Sequence, residues 1–173
     1  MKICIVSDSH DNGQSLARCL RAAHAEGAEA AIHCGDIIGT NTLKAALAVG
    51  MPIHAIHGNN LGDPGSLCRL SAKSAGQLTY YGNDATLSLA GRRIFAVHYP
   101  HYGYAMSLTG DFDLVCCGHS HEPEVRAITP IKGDICWLAN PGTTAGLGAP
   151  RATWIMGDLA TMQFEIRDVP PAA

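Results

Sequence analysis

Hydrophobic residues recur along this chain with two different periods, and the change of period divides it in half. In the first half, short apolar runs at Lys2 to Val6, Ala30 to Ile32 and Ile53 to Ile56 read as strands. The segments between them have helical period. Leu16, Cys19, Leu20 and Ala23 fall at i, i+3, i+4 and i+7, which predicts a helix over about 14–25 with one buried face. Leu43, Ala46 and Leu47 repeat the pattern over about 42–49, with Asn41 as the expected N-cap and Gly50-Met51-Pro52 as the stop. The second half is mostly β. Leu78 to Tyr81 and Ala85 to Ala90 are short runs around Gly82-Asn83-Asp84, and Gly91-Arg92-Arg93 is expected to turn into the strand Ile94 to Val97. A short helical stretch near Tyr104 to Leu108 precedes strands at Leu114 to Cys117 and Ile135 to Leu138. A hairpin of Thr153 to Met156 with Gln163 to Ile166 closes the chain. An α/β sandwich with two sheets and flanking helices is the natural closure for βαβαβ followed by β structure.

Composition narrows the class without changing this picture. The 173 residues suit one domain spanning 1–173, with Asp168 to Ala173 expected as a loose tail. With 47% hydrophobic and 16% charged residues, and a mean hydropathy of +0.07, the chain reads as a globule. A net charge of −3 offers no basic field for holding nucleic acid, so strong nucleic-acid binding is not expected. No apolar stretch is long enough to span a bilayer, and the start resembles no signal peptide. The seven cysteines are odd in number, sit mostly in apolar runs and include no Cys-x-x-Cys pair. That suits reduced thiols, so a cytoplasmic location is expected.

The chemistry is concentrated at five strand ends: Asp8-Ser9-His10, Gly35-Asp36, Gly58-Asn59, His98, and Gly118-His119-Ser120-His121. Parallel strands deliver their carboxyl ends to one edge of a sheet, so distant motifs can converge. Asp8 and His10 are two apart and would point the same way on a strand, as would His119 and His121. The missing side chain at Gly35 would let a ligand or metal approach the backbone. Taken singly, the Gly-Asp and Gly-Asn pairs are also ordinary turn residues, and a lone His98 is ordinary packing. Five independent strand ends, each carrying a carboxylate, imidazole or amide, are better explained as one metal centre than as unrelated turns.

The ordered set Asp-x-His, Gly-Asp, Gly-Asn, His, Gly-His-x-His resembles the calcineurin-like metallophosphoesterase superfamily, and the small size resembles its YfcE-like phosphodiesterase branch. The resemblance covers nearly the whole chain and includes Asn140-Pro141-Gly142-Thr143 and Pro150-Arg151. It implies a four-layer-type α/β sandwich, with two mixed β-sheets flanked by helices. It also implies two divalent ions, Mn²⁺ first, with Fe, Ni²⁺ or Zn²⁺ as alternatives. Asp8, His10, Asp36 and His121 would hold one ion. Asp36, Asn59, His98 and His119 would hold the other, with Asp36 bridging. The implied activity is hydrolysis of a small or nucleotide-like phosphate ester by in-line attack of a metal-bridging hydroxide. Asn59, His98 and His101 are the residues expected to act in catalysis. A homo-oligomer is compatible with the hairpin edges. A non-catalytic interaction module, similar to the retromer subunit of this fold, is the alternative, and retention of all seven ligand positions argues against it.

The chain departs from the family pattern beside the ligands. Many members have a histidine after the motif's asparagine, where it protonates the leaving group, and Asn60 cannot do that. Loss of an acid matters least for good leaving groups, which favours diesters or activated esters. Pro100 interrupts the usual His-Gly-His motif as His98-Tyr99-Pro100-His101, so His101 is a candidate proton donor. His57, Ser120 and Asn12 are candidates for substrate contact. Arg92-Arg93 with Tyr99, Tyr102 and Tyr104 could form a substrate or subunit surface, although a solvated turn is the simpler reading of the arginines.

Overall fold

A computed structural model describes residues 1–172. In chain order its elements are β1 (Lys2–Val6), α1 (Gly13–Ala25), β2 (Ala28–His33), α2 (Thr40–Leu47), β3 (Ile53–Ala55), α3 (Pro64–Lys73), β4 (Leu78–Tyr80) and β5 (Asp84–Leu89). There follow β6 (Arg92–Val97), α4 (Pro100–Ser107), β7 (Leu114–Cys116), β8 (Pro123–Ile128), β9 (Cys136–Pro141), β10 (Thr153–Asp158) and β11 (Gln163–Asp168). The strands form two mixed sheets, in the orders β11-β10-β1-β2-β3-β4 and β5-β6-β7-β9-β8. Strands β1 to β4 run parallel in the first sheet, as do β6, β7 and β9 in the second.

Strand alternation builds the layers. Ile3 and Ile5 face the second sheet and meet Ile94, Ala96, Leu114 and Ile155 in the central core. Cys4 and Val6, one residue out of phase, face the helices and pack with Leu16, Leu20, Leu43 and Leu67. On the far side, Phe95, Val97 and Val115 pack with Met106 and Leu108 at and just beyond α4. The order of layers is therefore helix, sheet, sheet, helix, as the family resemblance implies. Each fully buried Ile or Leu contributes about 1.5–3 kcal/mol, so the central core is a principal source of cohesion between sheets.

Several sequence expectations shift. Helix α3 was not anticipated because only Leu67 of its face is buried, although Asp63 caps it by accepting from the Ser66 N–H at 2.9 Å and Pro64 begins it. Strand β8 has no apolar run to mark it in the sequence, because it is an edge strand with mostly exposed or half-buried residues. The N-cap of α2 is Gly39, and Asn41 lies inside the helix. That end is held instead by Asp11 Oδ1, which accepts from the Gly39 N–H at 2.9 Å and the Thr42 hydroxyl at 2.7 Å. Helix α4 starts at Pro100, whose fixed φ suits the first helical position. Arg92 and Arg93 belong to β6. Arg92 donates to the Leu159 carbonyl at 3.0 Å and Arg93 pairs with Asp113 at 3.4 Å, so both are structural. The expected loose tail is tied down through Pro170: Asp168 ends β11, Val169 N–H donates to the Ala152 carbonyl at 2.9 Å, and Arg18 Nε donates to that of Pro170 at 2.7 Å. Of that tail, residue 173 lies outside the described residues. Among the described residues no helix is long and apolar enough to cross a membrane.

Candidate metal centre

The topology brings the loops after β1, β2 and β3 of one sheet against those after β6 and β7 of the other. The β1 and β2 loops continue their pairing beyond the strands, with Asp8 N–H donating to the Gly35 carbonyl and His10 N–H to that of Asp36, both at 3.0 Å. The backbone there is not a strand. Asp8 (φ 52°), His10 (φ 40°), Asp36 (φ 54°), His119 (φ 69°) and His121 (φ 60°) are all left-handed, a conformation uncommon for residues other than glycine. The i, i+2 pairs therefore converge through strained loops rather than through strand alternation. His119 turns toward Asn59 while His121 turns toward Asp8, so they serve opposite sides of the cluster.

Two compact groups result, Asp8 with His10 and His121, and Asp8 with Asp36 and His98. Asp8 is common to both, and Asp36 reaches from the second toward the first. Its Oδ1 lies 3.4 Å from His98 Nε2 and its Oδ2 lies 3.7 Å from His10 Nε2. Asn59 Oδ1 lies 3.0 Å from His98 Nε2 and 2.7 Å from His119 Nδ1. The structure thus brings Asp8, His10, Asp36, Asn59, His98, His119 and His121 together. It leaves His101 outside both groups: that exposed ring packs on Tyr99 at 5.6 Å and Tyr102 at 4.2 Å, and Tyr99 in turn packs on His98 and His119.

The hydrogen bonds reveal which atoms are free to bind. His98 Nδ1 donates to the Cys34 carbonyl at 2.8 Å and His121 Nδ1 to the Leu147 carbonyl at 2.5 Å, because a carbonyl can only accept. In each neutral ring, Nε2 then carries a lone pair. His98 Nε2 faces the Asn59 oxygen, and His121 Nε2 lies 3.2 Å from Asp8 Oδ1 and 3.3 Å from His10 Nε2. Acceptors facing acceptors repel unless a cation or proton stands between them. Asp8 Oδ1 is fully buried and has no hydrogen-bond partner, while its Oδ2 accepts from the His119 N–H at 3.0 Å. Among the described residues, no lysine or arginine pairs with Asp8 or Asp36. An uncompensated buried carboxylate costs several kcal/mol, so the cluster fits divalent cations held by mixed oxygen and nitrogen donors.

Neighbouring groups fix this geometry, and several were not legible in advance. The absent Cβ of Gly35 makes room for an imidazole rather than a ligand: a side chain there would meet His98 Nδ1 at 2.5 Å, and φ is +107°. Gly58 does the same for the Asp36 carboxylate and for His98 Nε2 at 2.6 Å. Asn60 donates its N–H to Asp36 Oδ1 at 2.9 Å and its side-chain amide to Oδ2 at 2.5 Å, so it holds the central carboxylate. Thr143 and Thr144 donate their hydroxyls to the Asp8 and Ser7 carbonyls. Asn140 bonds the Gly118 carbonyl and Ser120 hydroxyl, each at 3.0 Å. The recognisable Asn140-Pro141-Gly142-Thr143 stretch is thus a brace across the Asp8 and Gly118 loops. His33 is buried, donates to Ser9 Oγ at 2.9 Å and accepts from Gly35 N–H. Its pKa is pushed down to about 3, chiefly by burial. Asn12 caps α1 by accepting from the Ser15 N–H at 3.1 Å.

A cavity of about 430 Å³ opens beside His98 and Asn59 and includes His57 and Tyr99 in its wall. A larger depression of about 780 Å³ at β11, around Trp137 and Phe164, has none of the clustered residues.

The sequence model of the calcineurin-like phosphoesterase superfamily domain matches residues 1–162. The chain belongs to that superfamily. A phosphodiesterase of Methanocaldococcus jannaschii is 27% identical over 175 residues, covering 98% of each chain. Among solved structures, an archaeal phosphodiesterase superposes with a TM-score of 0.87 at 23% identity, covering 97% of this chain and 99% of the other. The E. coli phosphoesterase YfcE gives 0.66 at 17% identity, over 98% of this chain and 100% of that one. Vps29 of Entamoeba histolytica gives 0.66 at 13%, with the same coverage. These structural likenesses establish the calcineurin-like phosphoesterase fold.

Proposed function

We propose that this calcineurin-like phosphoesterase is a phosphodiesterase acting on small phosphate esters with two bound divalent ions. Asp8, His10, Asp36 and His121 would hold one ion, and Asp36, Asn59, His98 and His119 the other, with each Asp36 oxygen facing one side. The observation that carries this reading is the buried, partnerless Asp8 Oδ1 set against imidazole lone pairs. When bound, such ions supply Lewis-acid stabilisation of phosphoryl oxygens and lower the pKa of an attacking water.

The chain's own residues orient and hold. The Cys34 and Leu147 carbonyls set the tautomers of His98 and His121, leaving Nε2 available in each. Asn60 fixes Asp36 through both oxygens. Since its amide is committed there and has no acidic proton, it gives no proton to a leaving group, and His101 is separated from the cluster by the Tyr99 ring. Esters whose leaving groups depart as stable anions, diesters of acidic alcohols or phenols above all, fit this absence. The M. jannaschii relative's name as a phosphodiesterase agrees. A non-catalytic role, as a Vps29-like module, has only the shared fold in its favour.

Elemental analysis of the purified chain, combined with hydrolysis of bis(p-nitrophenyl) phosphate and p-nitrophenyl phosphate with and without Mn²⁺, tests the reading. Metal-dependent turnover that favours the diester is expected. Absence of bound metal and of turnover with every divalent ion tried would overturn it.

A further inference from the structure

We propose that the cavity beside His98 and Asn59 receives the ester group that stays on the phosphorus, and that this group is a flat, uncharged nitrogen heterocycle carrying an amino group, as some nucleobases do. The inference rests on reading the cluster as the phosphate-binding centre. Since His98 and Asn59 belong to both the cluster and the cavity wall, a phosphoryl group at the cluster directs one substituent into the cavity. At about 430 Å³ it lies in the size range of small-molecule sites and admits a ring with its sugar.

The walls specify the chemistry of the occupant. Leu61, Tyr99 and Tyr102 line it, and Leu61 and Tyr102 are 44% and 56% exposed, large apolar surfaces left open at a cavity. Aromatic and apolar faces of this kind stack flat rings. The polar part of the wall is ordered by His57. The Tyr80 hydroxyl bonds His57 Nδ1, and His57 Nε2 meets Asn83 Oδ1 at 2.5 Å. Because an amide oxygen only accepts, Nε2–H donates to it, the Tyr80 hydroxyl donates to Nδ1, and the Asn83 amide keeps its N–H groups as donors. The next residue, Asp84, is exposed in the same wall and offers a carboxylate acceptor. A donor beside an acceptor complements a ring edge with a bare nitrogen next to an amino group. The same carboxylate repels substituents carrying a second phosphate or a carboxylate, so the occupant is neutral.

Two diesters with a common p-nitrophenolate leaving group test this on the Mn²⁺-loaded full chain: adenosine 5′-(p-nitrophenyl) phosphate and methyl p-nitrophenyl phosphate. The adenosine ester should show a kcat/KM about tenfold higher or more, as one stacked base implies. Tyr102→Ala and Asp84→Ala should each lower that ratio several-fold. A ratio near one in the wild type, or a ratio unmoved by both variants, would overturn the inference. Calorimetric binding of adenosine 5′-monophosphate, phenyl phosphate and methyl phosphate gives a readout independent of turnover. Tightest binding of the adenosine ligand, weakened in Tyr102→Ala, supports the heterocycle site even if neither ester is cleaved, in which case the catalytic reading alone falls. Equal binding of phenyl phosphate and the adenosine ligand overturns the assignment of Asn83 and Asp84.

Discussion

At the scale of single residues, Asp8 concentrates the tension in this protein. Its carboxylate is fully buried, one oxygen lacks any hydrogen-bond partner, and imidazole nitrogens lie 3.2 and 3.7 Å from that oxygen. Without cations such an arrangement costs stability, and under the proposed reading it is what binds them. Asp8→Asn should therefore separate stability from function. In chelator the variant should unfold at the same temperature as the wild type or higher, because a buried charge has been removed. It should also lose bound metal and turnover. A chelated variant clearly less stable than the chelated wild type would show that the carboxylate is satisfied by the protein alone. Asn60 acts one step further out. Asn60→Ala removes the 2.5 Å bond to Asp36 while keeping the backbone one, and should weaken metal affinity about 10- to 100-fold, read by titration with a competing chelator. Asn60→His places an imidazole beside Asp36, and should raise monoester cleavage relative to diester. An unchanged ratio in that variant would mean that proton donation at this position does not govern substrate choice.

At the scale of elements, the ends of strands carry the chemistry and buried partners hold those ends in place. His33 closes β2 with its ring neutral, linking Ser9 to Gly35 N–H. Its folded pKa of about 3 lies below the ordinary 6.5, so the unfolded chain binds the extra proton first. The stabilising contribution is complete above pH 6.5 and is lost as pH falls from 6.5 toward 3. The wild type should lose stability over that range at up to about 1.4 kcal/mol per pH unit from this group, and His33→Gln should flatten the slope in denaturant titrations. An identical slope in the variant would place the acid sensitivity elsewhere. The elements that sequence made legible are those with strong periodicity. Strand β1, helix α1 and strands β6 and β7 were readable because each buries a full face, and the candidate ligands stood out because each follows an apolar run. Helix α3 and strand β8 were not, since one buries only Leu67 and the other is an edge. The site's inner geometry was also hidden. Left-handed loop residues and the space that Gly35 and Gly58 leave for His98 depend on contacts between segments distant in sequence, which no local pattern encodes.

At the scale of the whole molecule, the cluster lies where the two sheets meet and takes residues from both. Asp8, Asp36 and Asn59 follow β1, β2 and β3 of one sheet, whereas His98, His119 and His121 follow β6 and β7 of the other. Cations bound there would tie the sheets together at one edge of a core whose remaining cohesion is the apolar layer of Ile3, Ile5, Ile94 and Leu114. Metal binding is then linked to global unfolding rather than to loop order alone, because the unfolded chain cannot hold both halves of the site. A ligand at 100 times its dissociation constant adds about 2.7 kcal/mol. For a domain of this size that corresponds to roughly 5–10 °C in Tm. Chelation should lower Tm by that order, and readdition of Mn²⁺ should restore it. Hydrogen exchange discriminates between the two kinds of linkage. If the ions clamp the sheets, amides of β1 and β2 and of β6 and β7 should all lose protection on chelation. Loss confined to the loops at residues 7–11, 34–38, 58–60 and 118–121 would show that the sheets hold together without them and that the cluster serves chemistry alone.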